Sequence, residues 1–189
     1  MDIFFDDLDS LEQFTQQLKF SAVGASCPHC RSSDHLVSHG FIYKKCSQAP
    51  PQIVGKRVLC SNRYGHSGCG RTQQLYLKQR VPKLSYGADE LWAFCLALMA
   101  GMSILNAYTT ATNTLEPRNA YRWLNKCQRK LSVFRTVILS LTLPLNSPCV
   151  TPRRTHKLTL LVSTLQRLFS ALSTPSCASF QLLTQSAFF

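Results

Sequence analysis

Cys27 and Cys30 stand in "CPHC", and Cys60 and Cys69 bracket "CSNRYGHSGCG". Thiolates in this pattern do one kind of chemistry best, which is metal ligation. A C-x2-C knuckle presents two sulfurs on one tight turn, at a spacing that suits one tetrahedral zinc ion, and the second pair supplies the other two corners. The C-x8-C spacer is long, so Ser61 to Gly68 must loop out and return, which Gly65, Gly68 and Gly70 make feasible. His66 lies inside that loop and is the alternative fourth ligand. His29 sits within the first knuckle and Cys46 between the pairs. Four cysteine ligands leave no position for water or substrate, so such a zinc is structural and contributes folding free energy. The competing readings are four unligated buried cysteines and a redox C-x2-C, for which no βαβ pattern is present.

Carboxylate chemistry is poorly supplied. After residue 20 the acids are Asp34, Asp89, Glu90 and Glu116. Asp89, Glu90 and Glu116 fall at expected helix starts, where the helix dipole favours acids. A two-metal nucleic-acid-cleaving site needs converging carboxylates. A Tyr or Ser recombinase needs an Arg/His cluster, for which His156 beside Arg153 and Arg154 is the one hint. The expectation is a chain that is not an enzyme.

Basic residues are abundant. Twenty-one Lys and Arg against nine Asp and Glu give +12, a charge that suits a polyanion such as nucleic acid. Residues 21–85 carry ten of the bases and one acid. Lys44, Lys45, Arg57, Arg63 and Arg71 there, interleaved with Tyr43, Tyr64 and Tyr76, suit phosphate and sugar contacts. Farther on, Ala120, Leu124, Cys127 and Leu131 repeat at helical spacing. Arg118, Arg122, Asn125 and Arg129 repeat with the same steps, offset by two residues. That offset is about 200° around a helix, so one stripe is buried and the other faces out. Arg and Asn are the side chains that read guanine and adenine edges in the major groove. The ordinary alternative for both basic sets is a solvated surface.

Four segments must position these groups. Residues 1–20 read as an acidic amphipathic helix, with apolar Phe5, Leu8, Leu11, Phe14 and Leu18. Such a helix packs on its own protein or docks on a partner. Residues 24–83 read as a β zinc ribbon with strands in "HLVSHGFIY", "KRVLC" and "QQLYL". Residues 85–135 read as a three-helix, helix-turn-helix-like domain with helices near 88–100, 104–112 and 116–131. Their turn, "TATNTLEP", lacks the glycine such turns often carry. Residues 136–189 read as a helical or partly disordered tail, with prolines over 142–152 and a short leucine-stripe helix over 157–172. The fold class expected is small α+β. No signal peptide or apolar run of membrane-spanning length is seen, and the paired cysteines suit a reducing cytoplasm.

The run "CPHC…SSDHLVSHG", then "GKRVLCSNRYGHSGCGRT", then the helix-turn-helix-like segment resembles the zinc-ribbon DNA-binding regions of bacterial insertion-sequence transposases, and the short zinc-ribbon proteins encoded beside them. It covers about 24–130. The x8 spacer departs from the family's usual C-x2-C. The resemblance implies a non-catalytic DNA-binding protein of a mobile element, binding the element's ends with one structural Zn2+ held by Cys27, Cys30, Cys60 and Cys69. The partners implied are double-stranded DNA and a transposase or a second copy of the chain, with no membrane. A free-standing transcriptional regulator, a zinc-ribbon RNA- or ribosome-associated protein and a transposase lacking its catalytic domain are the alternatives.

Overall fold

Asp7 starts a helix just after a short strand. Its side chain accepts the Ser10 N–H at 2.8 Å, and the Ser10 hydroxyl faces back toward the Asp7 N–H. This reciprocal cap fixes the helix start. In the computed structural model, which describes residues 3–18, 26–33, 35–44, 50–141 and 157–189, strand β1 therefore spans Ile3–Phe5 and helix α1 spans Leu8–Gln17. The single helix expected over 3–18 is split because Ile3, Phe4 and Phe5 pair in parallel with Leu75, Tyr76 and Leu77. Among the described residues the architecture is α+β, with one four-stranded sheet and seven helices.

The chain divides into two compact units, Met1–Arg80 with Gln185–Ala187, and Val81–Thr184 with Phe188–Phe189. In the first, β2 (Leu36–Lys44), β3 (Gln52–Cys60) and β4 (Thr72–Leu77) follow β1 and α1, in sheet order β1-β4-β3-β2. These strands contain the three β-like sequence runs. One sheet face buries Leu36, Val58, Cys60 and Leu75 with Leu11 and Leu18 of the α1 segment. The α1 apolar stripe thus packs on its own unit. On the other face, Phe4, Tyr76, Gly55 and Ile42 are successive register partners. A side chain at Gly55 would run into the Leu75 carbonyl and come within 3.2 Å of Tyr76 Cα, so glycine is the residue this row accepts. The Gln185 amide accepts the Phe4 N–H at 2.7 Å and donates to the Phe4 carbonyl at 3.0 Å. It satisfies backbone groups on an edge strand that would otherwise be open to pairing.

The second unit is helical: α2 (Ala88–Met99), α3 (Ile104–Thr112), α4 (Pro117–Arg129), α5 (Leu131–Leu141), α6 (Lys157–Ala171) and α7 (Cys177–Thr184). Ser103 caps α3 by accepting the Asn106 N–H. Asn113 ends α3 in the left-handed region, φ 53°. Asparagine tolerates that region better than most side chains, so it takes the part a turn glycine would play. Trp123 is the centre of the core, with Tyr86, Phe94, Tyr108 and Phe189 set edge-on around it at 5.0–6.0 Å. The C-terminal segment is not a separate tail. Leu161, Leu165, Leu168 and Phe169 of α6, with Cys177 and Phe180 of α7, are buried in the same core as Leu91, Phe94 and Trp123. The leucine stripe is spent there, not on a coiled coil. The proline-rich stretch, with Arg153, Arg154 and His156, lies outside the described residues.

Candidate metal centre and basic faces

Two backbone turns bring the four cysteines together. In the first, the Cys27 N–H donates to the Ser32 carbonyl at 2.9 Å and the Arg31 N–H to the Cys27 carbonyl at 2.8 Å, with Arg31 at φ 61°. In the second, the end of β3 pairs back on residues 70–71: the Cys60 N–H donates to Arg71 and the Gly70 N–H to Cys60. Gly68 closes the intervening loop on the Ser61 carbonyl at 2.8 Å. The eight-residue spacer therefore folds out as a closed loop and returns Cys69 beside Cys60.

The sulfurs of Cys27, Cys30, Cys60 and Cys69 all lie within 4.8 Å of one another. Cys27 faces Cys69 and Cys30 faces Cys60, each at 3.7 Å, far longer than a disulfide bond of about 2.05 Å. These are free thiols grouped so that they could bind a metal ion. The His29 N–H points at Cys27 Sγ (3.4 Å) and the Cys69 N–H at Cys60 Sγ (3.3 Å). Such donors favour thiolate, the form that binds metal. Hydrogen bonding with the Ser32 side chain and backbone holds the exposed Cys30 thiol down at about 6. Burial pushes the Cys60 thiol up to about 12.

His66 is not grouped with the sulfurs. Its Nδ1 meets Nδ1 of His35 at 3.3 Å, and His35 Nε2 meets the Ser67 hydroxyl at 3.1 Å. The pair fastens the 61–68 loop to the start of β2. His35 had no distinguishing mark in the sequence, because its partner lies 31 residues away. Ser32 was likewise unmarked. Cys46, Lys45 and Asp34 lie outside the described residues.

The basic candidates are dispersed over the first unit. Arg57 projects from β3 on the face opposite Val58 and Cys60, Arg63 stands on the loop between the cysteines, and Arg71 follows Cys69; all three are exposed, and Lys44 at the end of β2 is half-buried. Arg71 approaches His29 Nδ1 at 3.4 Å. In the helical unit α4 has two faces. Ala120, Trp123, Leu124 and Cys127 are buried. Arg118, Arg122, Asn125 and Arg129 are all exposed, as is Tyr121. Lys126 lies beside this face with its ammonium 5.2 Å from the Phe189 ring. Its pKa is lowered by burial and by the nearby charges of Arg122 and Lys83. Glu90 accepts the Gly87 N–H at the start of α2, and Glu116 precedes α4. No helix among the described residues is long and apolar enough to cross a membrane.

Comparisons with protein-family models, with curated proteins and with solved structures found no match.

Proposed function

We propose that this protein is a non-catalytic DNA-binding protein built from a zinc ribbon and a helix-turn-helix-like helical unit. The observation that carries the reading is α4, a 13-residue helix with one face buried around Trp123 and the other presenting Arg118, Arg122, Asn125 and Arg129. A recognition helix needs that division: a rigid buried face, and an exposed face of side chains that can reach base edges. The exposed bases of the ribbon supply phosphate contacts, which position a protein on a duplex without reading sequence. The duplex is the end of a mobile element, on the strength of the resemblance to insertion-sequence transposase regions.

The metal is zinc. A tetrahedral ion with sulfurs at about 2.3 Å has sulfur–sulfur edges of about 3.8 Å; two of the six sulfur pairs stand at 3.7 Å and all lie within 4.8 Å, a grouping that supports this reading. Four thiolates close the coordination sphere, so the ion holds the two knuckles together and takes no part in a reaction.

Selection of bound duplexes from a random-sequence pool tests the function. Recovery of a shared sequence, with binding that weakens as salt is raised, is the expected result. A pool that stays random, or no retention at low salt, overturns it.

A further inference from the structure

The loop between Cys60 and Cys69 projects an exposed tip. Tyr64 at its apex is 96% exposed. Its backbone sits in the left-handed region at φ 55°, followed by Gly65 at φ 85°. A large aromatic side chain in that conformation is uncommon and carries strain, which proteins tend to keep at sites that use it. The loop beneath is tightly held. Ser61 N–H bonds to the His35 carbonyl at 2.7 Å, His66 N–H to the Arg63 carbonyl at 3.1 Å, and the His35–His66 and His35–Ser67 contacts close the side. Asn62 and Arg63, both exposed, precede Tyr64 in the loop. Residues 50–80 contain six Lys and Arg and no acid.

We infer that this tip binds an unpaired DNA base, with the Tyr64 ring as the stacking platform and Arg63 on the adjoining phosphate. The assignment rests on the DNA-binding reading and deepens it. A base inside an intact duplex has both faces covered by its neighbours, so a lone exposed ring gains little from it. A base that is bulged, mismatched or in single strand offers a free π-face, and stacking it on an aromatic side chain is sequence-tolerant and energetically worthwhile. The backbone that carries the ring is held by the closed loop, so little backbone freedom is lost on binding. Arg63, adjacent to Tyr64 in the chain and exposed, favours an anionic nucleic acid over a neutral aromatic ligand.

The full-length protein, loaded with zinc, is titrated by fluorescence anisotropy against labelled probes: an intact duplex, the same duplex with one unpaired base, and single strands of DNA and of RNA. The unpaired-base duplex should bind more tightly than the intact one, by roughly 5- to 100-fold. Tyr64→Ala should collapse that ratio toward one, whereas Tyr64→Phe should keep it. Zinc content and far-UV dichroism of both variants establish that the loop is still built. A wild-type ratio near one, or a ratio that survives Tyr64→Ala, overturns the inference while salt-dependent duplex binding leaves the broader reading intact. Tighter binding of the RNA strand than of the DNA strand overturns the assignment to DNA. Failure to bind any probe at low salt removes both readings together.

Discussion

Gly68 has no room for a side chain. A Cβ there would lie 2.6 Å from Cys60 Sγ and collide with the Ser61 carbonyl. Gly68→Ala must therefore displace a ligand sulfur or open the loop. Its expected effect is a loss of zinc affinity of about 10- to 100-fold, the range for groups that position ligands without being ligands. Competition with a chromophoric chelator measures it, and an unchanged affinity would show that the close approach does not constrain the site. The thiols set a second expectation. Cys30, held near 6 by Ser32, is mostly thiolate at pH 7 and has little proton left to give up to a metal. Cys60, pushed to about 12 by burial, must lose its proton. Metal binding at this site would thus release protons and weaken as pH falls, and more steeply below about pH 6, where Cys30 also protonates. Ser32→Ala raises the Cys30 thiol, so it should weaken zinc binding more at pH 6.5 than at pH 8 (both about the range a competition titration covers). An equal loss at both would remove Ser32 from this role.

Elements carry different expectations. Leu165 of α6 is fully buried, within the core that also holds Trp123. Leu165→Ala should cost about 2–5 kcal/mol of unfolding free energy in urea. A loss near zero would mean that α6 is a dispensable tail. On α4 the test is one of contrast. Arg122→Ala should cost about 1–3 kcal/mol on a selected sequence and little on random DNA. Arg57→Ala, on the sheet, should weaken both alike. Equal losses on the two DNAs for Arg122→Ala would leave α4 an ordinary surface helix.

At the scale of the molecule, two units with separate cores should respond differently to metal removal. The sheet unit has a short list of buried side chains around α1 and the cysteines, and small cores of this kind depend on a staple. The helical unit has a continuous core spread over α2 to α7. Chelation should therefore abolish the dispersed amide resonances of residues 26–80 in a nitrogen–proton correlation spectrum while most of the ellipticity at 222 nm persists. Loss of both together would show that the helical unit needs the ribbon. Duplex binding should fall with salt at a log–log slope of about −5 if roughly six phosphates are neutralised. A flat response would argue against phosphate contacts by either unit.

Residue type and spacing determined a good deal of this protein. The two cysteine pairs, the strands around "HLVSHGFIY", "KRVLC" and "QQLYL", and the opposed stripes of α4 are all legible because each depends on periodicity or on a short motif. Tertiary structure decided the rest, for reasons that local pattern does not contain. Phe5 shares the apolar spacing of the α1 stripe, and only pairing with Leu75–Leu77 makes Ile3–Phe5 a strand. The Leu158–Leu172 stripe reads equally as a coiled-coil seam or a core face, and the surrounding helices make it core. His66 has the chemistry of a zinc ligand, yet His35, brought in across the fold, takes its ring nitrogen instead. Long-range contacts of that kind are set by which surfaces meet, a property of the folded chain that no window of sequence encodes.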